Sequence, residues 1–409
     1  MRGCAACALT CYLAAFATGA QPAGVPDLAA SFACRPQSCS TLIPEASVDA
    51  PDDNDCAYRN GNEWWVDYVA GSLAWSKHPS KHPVTVAVFD DGAAIDHPAL
   101  RNRLWTNEAE AHGKPGVDDD GNGYIDDVHG WDFVDNRPIA PPQGECRARP
   151  SHGTFMASLV AADRNSGIGM AAAGSDGARV MVLRIVGCGS DTRVDPDRLK
   201  RALEYATRMG ARILSFSAHW NVSTPELDAA FADIADRPDS PRAAIVVASV
   251  PNKGEAQAGY PAAYTFRRIV RAVPIGDGDR ISPGTSSIPE GLNFGAPSAC
   301  VLGATAGPSG FAIANGSSNS TAILAGLLAG IWANPRYARF TTDEFLERVV
   351  WGPMAQSVRR SHPGLRPPYL SGVPLADACT LSTGERSAEV CRPGRVHEEP
   401  HELQRHDSK

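Results

Sequence analysis

A doubly wound α/β domain, with a mostly parallel sheet flanked by helices, is the architecture that this 409-residue sequence predicts. Three observations carry it. Short β-branched runs recur along the chain, helical stretches fall between them, and 43% hydrophobic against 21% charged content describes a folded globular chain rather than a fibrous or disordered one. The first run, Val84 to Phe89, is nearly continuous in apolar residues, as a strand buried on both faces of a parallel sheet must be. Val180 to Val186, Arg212 to Phe216, Ala244 to Ala248 and Ile269 to Ile275 repeat that signature. Between them, Asp197 to Met209 and Pro225 to Ala235 read as helices. Phe155 to Ala162 fits a buried helix, and Ala322 to Trp332 is an apolar helix that follows a polar, serine-rich start.

This domain is expected over residues 64–355. Before it, Arg2, an apolar run from Cys4 to Ala17 and a small-residue exit ahead of Gln21 have the layout of a secretory signal peptide over residues 1–20. Residues 21–63 are rich in Pro, Asp, Ser and Ala and read as a leader or linker, or a short propeptide. Residues 356–409 form a C-terminal extension whose polar tail is expected to stay disordered. The longest later apolar stretch, Thr321 to Ala333, falls well short of the about eighteen residues a membrane helix needs. A secreted or periplasmic monomer with no membrane span is therefore expected. Three of the 11 cysteines lie in the signal segment, leaving Cys34, Cys39, Cys56, Cys146, Cys188, Cys300, Cys379 and Cys391. Their even number suggests disulfides in an exported chain, and their wide spacing lacks the Cys-x-x-Cys of a zinc site. A net charge of -8 without any basic block argues against nucleic acid as a partner.

Four places could carry chemistry. Asp90-Asp91-Gly92 follows the first strand at its carboxyl end, where open α/β sheets gather their functional groups. Ser151-His152-Gly153-Thr154 opens a helix, with His152 in its first turn. Val250-Pro251-Asn252 leaves the strand that ends near Ala248, and an Asn side chain there can donate to a developing negative charge or simply shape the turn. Gly316-Ser317-Ser318-Asn319-Ser320-Thr321 starts the apolar helix, where free N–H groups and the helix dipole favour an oxyanion; ordinary N-capping by a hydroxyl is the alternative.

Taken in order along a parallel sheet, these segments resemble those of the subtilisin-like serine proteases, the subtilases of peptidase family S8. Ile95-Asp96-His97-Pro98 after the aspartate, Asn165-Ser166-Gly167-Ile168-Gly169 after the histidine, and Tyr260-Pro261-Ala262 extend the resemblance over roughly Trp64 to Trp351. It implies a catalytic triad of Asp90, His152 and Ser318, with Ser318 as nucleophile, His152 as general base and Asp90 orienting the imidazole. Asn252 and the Ser318 N–H would bind the oxyanion. Ser217, Ala218 and His219 would line the bound polypeptide, with Val250 and Pro251 beside the primary pocket. No cofactor is required for that chemistry.

Several residues depart from the family pattern: Ser317 before the nucleophile and Asn319-Ser320-Thr321-Ala322 after it spare the nucleophile, and two others bear on the groove. Pro251 stands where glycine is usual and removes an N–H next to the pocket, while His219 adds bulk where a glycine normally lets backbone approach. Both imply a narrow, selective site, and they motivate the alternative of a peptide-binding protein with little or no turnover.

Asp118-Asp119-Asp120-Gly121-Asn122-Gly123-Tyr124-Ile125-Asp126-Asp127 spaces side-chain oxygens as in the first half of a calcium loop. Asp118, Asp120, Asn122 and Asp126 are the expected ligands of a structural calcium ion, against the alternative of a solvated acidic turn. The tail segment His397-Glu398-Glu399-Pro400-His401 fits a zinc-hydrolase pattern on paper, but Pro400 opposes the helix that pattern needs.

Overall fold

The computed structural model describes residues 63–69, 80–142, 151–166, 170–187, 193–251, 259–276, 281–282, 285–307 and 310–354. Its centre is an eight-stranded sheet of β1 (Val84–Asp90), β2 (Gly130–Asp132), β3 (Arg137–Pro138), β4 (Ala178–Arg184), β5 (Ile213–Phe216), β6 (Ile245–Ser249), β7 (Ile269–Ile275) and β8 (Leu292–Pro297), in spatial order 3-2-4-1-5-6-7-8. All pairings are parallel except that of β2 with β3. The fold is thus the mostly parallel α/β architecture that the alternation of strand and helix predicts.

Strand β1 lies between β4 and β5, in register from Val84 opposite Ala178 to Asp90 opposite Arg184. Successive strands are laid down on either side of it, so the crevice at its carboxyl end is the place where an open α/β sheet accepts a ligand. The carbonyl of Asp90 accepts from Ile185 N and Val186 N, which fixes the backbone where β1 ends.

Two kinds of helix cover the sheet. On one face, α3 (His152–Val160) and α6 (Ser317–Trp332) are enclosed almost completely; α6 has no exposed residue at all. They approach closely because Gly326 lacks a side chain, and a Cβ there would lie 2.3 Å from Val160 O. Trp65 and Val66 of α1 (Trp64–Tyr68) join this core. Trp332 at the end of α6 stacks on Phe345 of α7 (Thr342–Phe345), with ring centroids 4.3 Å apart, and the Arg212 guanidinium lies 3.7 Å over the Trp332 ring.

The opposite face carries α4 (Pro196–Arg208) and α5 (Pro225–Ala235). Both follow a side-chain N-cap, Asp195 and Thr224, with Pro at the first helical position. Leu199, Leu203 and Tyr205 of α4 and Leu227 and Phe231 of α5 bury one side of each helix and leave the charged side in water. A short α2 (Glu108–Ala111) precedes the acidic loop that leads to β2.

The sequence pattern did not reveal β8, β9 (Val301–Ala304) or β10 (Phe311–Ala314). Strand β8 carries Gly295 and Pro297, which weaken any strand signature, and β9 and β10 form a separate antiparallel pair of only four residues each. Among the described residues no helix is long and apolar enough to cross a membrane. Seven of the eight remaining cysteines, and the tail from 355 onward with its His397 to His401 pattern, lie outside the described residues.

Candidate active site

Asp90 is the last residue of β1, and its side chain is buried where the strand delivers it to the carboxyl edge of the sheet. His152 is the first residue of α3. Its Nδ1 lies 2.8 Å from both carboxylate oxygens of Asp90 and donates to them, which leaves Nε2 as the free acceptor of a neutral imidazole. Ser151 caps the helix by accepting from Thr154 N at 3.2 Å.

Burial opposes the imidazolium form of His152, but the charge and hydrogen bond of Asp90, together with the charge of Asp91, outweigh it and raise the His152 pKa to about 9. Asp91 is itself pushed up to about 6, first by burial and then by the neighbouring Asp90 charge. The two carboxylates and the imidazole therefore behave as one coupled charge cluster.

Ser318 is the second residue of α6. Its Oγ donates to Ser217 O at 3.4 Å, and Ser217 Oγ donates to Ser318 O at 3.3 Å, which ties the start of α6 to the segment leaving β5. The rest of the first turn is anchored just as firmly. Asn319 Nδ2 donates to Ser298 O and Ala314 O, Ser320 Oγ to Ala296 O and Pro297 O, and Thr321 Oγ1 to Ser317 O. Ser249, at the end of β6, donates to Ser317 Oγ at 2.8 Å. The polar side chains of this buried, serine-rich turn thus find partners among backbone carbonyls and a neighbouring hydroxyl. Helices α3 and α6 both begin at the carboxyl edge of the sheet, so their N-terminal N–H groups and positive dipole ends point to the same crevice.

Ser217, Ala218 and His219 form a half-buried segment after β5, and Trp220 then bridges Tyr260 in antiparallel fashion. The His219 ring lies over Gly259, where a Cβ would come within 3.0 Å of its Cδ2. Val250 and Pro251 are buried at the end of β6, and the Pro251 carbonyl accepts from Ser286 N at 2.9 Å. Asn252 lies outside the described residues.

The acidic loop differs from the expected ligand set. Glu110, Asp118 and Asp120 bring carboxylate oxygens within 4.8 Å of one another. Asp126 instead turns away and accepts from Gly116 N with both oxygens, at 2.9 and 3.1 Å. Asn122 donates its amide to Asp120 and to the buried Asp127, while its oxygen accepts from Tyr124 N. Glu110 sits in α2 and carried no spacing signal; its carboxylate accepts from the N–H groups of Asp119, Asp120 and Asp126 and so organises the loop from outside it. Ser249 was equally silent in the sequence, being one polar residue at the end of an apolar strand.

The mostly parallel α/β sheet, with His152 on Asp90 at its carboxyl edge and Ser318 opening a helix at that same edge, has the architecture of the subtilisin fold class. The chain belongs to the subtilase family, whose model matches residues 81–354. Among curated relatives, subtilisin-like protease 1 of Plasmodium vivax is 40% identical over 98 residues, which covers 24% of this chain and 14% of that protein. Thermitase of Thermoactinomyces vulgaris is 26% identical over 61% of this chain and 74% of its own length. Halolysin of Haloferax mediterranei is 26% identical over 67% of this chain and 46% of its own. The match thus spans about one seventh of the length of the Plasmodium vivax protein.

Proposed function

We propose that this chain is an exported serine endopeptidase that cleaves polypeptides through an acyl-enzyme on Ser318. The observation that carries the reading is the 2.8 Å contact of His152 Nδ1 with Asp90 at the carboxyl end of β1, with Ser318 opening the helix packed against that of His152. In this reading Ser318 Oγ attacks the scissile carbonyl carbon while its proton passes to His152 Nε2. Asp90 holds the imidazole in the tautomer that leaves Nε2 free and stabilises the imidazolium that forms. The negative charge on the former carbonyl oxygen meets the Ser318 N–H at the start of α6 and, by the family resemblance, the Asn252 amide. Collapse breaks the C–N bond, and the leaving amine takes the proton from His152. Water then gives its proton to His152, attacks the acyl ester, and regenerates the serine with release of the acid. No cofactor enters these steps, and the chain is taken to act as a monomer.

The segment from Ser217 to His219 offers a backbone edge along which a polypeptide can pair. His219 over Gly259 and the rigid Pro251 narrow that groove, which fits a selective peptidase. They equally favour the second reading, a protein that holds a peptide with little turnover. Hydrolysis of a diverse peptide library by the wild-type protein and by Ser318→Ala decides between them. Cleavage that falls on the order of 10⁴-fold or more in the variant is expected. Equal, trace-level cleavage by both proteins, with no labelling by a fluorophosphonate, would leave the binding reading.

Glu110, Asp118 and Asp120 would hold a structural calcium ion. Their oxygens are hard donors that accept one or two hydrogen bonds each, mostly from backbone N–H groups, and retain lone pairs for a cation; three clustered carboxylates repel one another without one. Such an ion would stabilise the fold at a distance from the reacting groups. Export through residues 1–20 to a periplasmic or extracellular space, with paired cysteines, completes the proposal.

A further inference from the structure

Asp91 lies one residue beyond Asp90, and no step of the proposed reaction uses it. Its carboxylate nevertheless takes three hydrogen bonds from the start of α3. Oδ1 accepts from Ser151 Oγ at 3.1 Å and Gly153 N at 2.8 Å, and Oδ2 from His152 N at 3.2 Å. The first N–H groups of a helix have no intrahelical acceptor, and the positive end of the dipole favours a negative charge beside them. Ser151 Oγ already serves Thr154 N, so Asp91 completes the cap by satisfying the two remaining donors of the turn that bears the imidazole.

The approach is close enough to demand glycine at 153. A Cβ there would lie 2.1 Å from Gly92 O and 2.9 Å from Asp90 Cβ. Gly92, at φ +101°, makes the sharp departure from β1 that presents its carbonyl to Gly153. Segments 90–92 and 151–154 therefore interlock through backbone and one carboxylate.

We propose that Asp91 is a positioning residue for the Asp90–His152 pair: it pins the start of α3 to the end of β1 and, by its charge, makes the His152 imidazole a stronger base. The inference rests on the reading of His152 as general base. Asp90 and Asp91 are the charges acting on His152, and Asp90 and His152 those acting on Asp91. The other elements packed against α3 add no competing charge. Strand β9 and helix α6 contain no ionisable residue, Arg179 sits at the far end of β4, and Arg184 directs its guanidinium to Asp132 and Asp135 at 2.7 and 2.6 Å.

The test is ¹³C-histidine NMR titration of the full chain and of Asp91→Asn, alongside steady-state kinetics. In the variant the His152 midpoint should fall by about one pH unit, so that the rise of kcat/KM with pH shifts down by the same amount, while kcat above pH 9, where the imidazole is neutral in both proteins, falls by up to about tenfold with KM little changed. In the wild-type protein the His152 resonance should show a second inflection near pH 6 as Asp91 ionises. An unmoved midpoint in a folded variant, or a wild-type titration with a single inflection, overturns the role given to Asp91. Should Asp91→Asn not fold, Asp91→Ser keeps one acceptor without the charge, and the wild-type inflection still decides. A wild-type protein that titrates as expected yet neither hydrolyses peptides nor takes up a fluorophosphonate would refute the peptidase reading while leaving the role of Asp91 standing.

Discussion

At the end of β1, Asp90 and Asp91 share their charge with an imidazole and with the N–H groups of a helix start; Glu110 of α2 and Asp118, Asp120, Asp126 and Asp127 of the loop that follows it are held by backbone N–H groups, amides and the Tyr205 hydroxyl. The first cluster contains its own cation when His152 is protonated. None of the five carboxylates in the second is ion-paired among the described residues. Both clusters are rich in hydrogen bonds, yet only one of them places a proton donor and acceptor between the charges. Counting carboxylates therefore says little about chemistry. What matters is whether the compensating charge can move, as a proton on an imidazole can, or is a fixed ion supplied from solution.

The contrast can be broken by removing one centre at a time. His152→Ala should lower kcat on the order of 10⁶-fold and leave the calcium dependence of thermal stability as it was. Glu110→Gln should do the reverse, removing the response to calcium and sparing kcat at saturating temperature-controlled conditions. Activity assays and melting curves on both variants check this; a loss of kcat from Glu110→Gln in the folded protein would mean that the two centres are coupled.

The next effect is a pH dependence of about tenfold per unit in kcat/KM. With its pKa raised to about 9, His152 is neutral, and able to accept the Ser318 proton, only in a minor fraction at pH 7. Activity should therefore climb from neutral pH towards about pH 9. Stability moves the other way. A histidine whose folded pKa exceeds its unfolded value contributes stability that is complete below about pH 6.5 and is lost as pH rises through about 9. Parallel rate and denaturation profiles across that window should cross in opposite directions, and a rate that is flat from pH 7 to 9 would contradict the raised pKa.

Much of this was legible in the sequence for identifiable reasons. Strands β1, β4, β5, β6 and β7 are buried on both faces, so their apolar runs stand out against polar helices. Asp90 ends such a strand and His152 and Ser318 open buried helices, the Gly153 beside His152 being required by close approach, and family resemblance supplied their order. Strand β8 was hidden because it contains Gly295 and Pro297, and β9 and β10 because each runs for only four residues. The role of Asp91 was hidden for a different reason. An Asp before Gly reads as a turn, and only the folded chain shows its carboxylate spanning 60 residues to reach Ser151. Glu110 escaped because alternate spacing within the loop cannot reveal a carboxylate contributed by a preceding helix.

The smallest effect tests which oxygens of the loop would meet an ion. If calcium occupies the Glu110, Asp118 and Asp120 cluster at about 100 times its dissociation constant, it stabilises the fold by about 2.7 kcal/mol, or about 5 °C in Tm for a domain of this size. Melting curves in chelator and in millimolar calcium measure that shift directly. Asp120→Asn should abolish it, because one of the three converging carboxylates is neutralised. Asp126→Asn should preserve it while lowering Tm slightly in both conditions, because both Asp126 oxygens are committed to Gly116 N. The loop spacing alone makes the opposite prediction, with Asp126 a ligand and Glu110 irrelevant. An equal calcium response in wild type and Asp120→Asn would therefore discard the cluster, and loss of the response in Asp126→Asn would restore the ligand set expected from spacing.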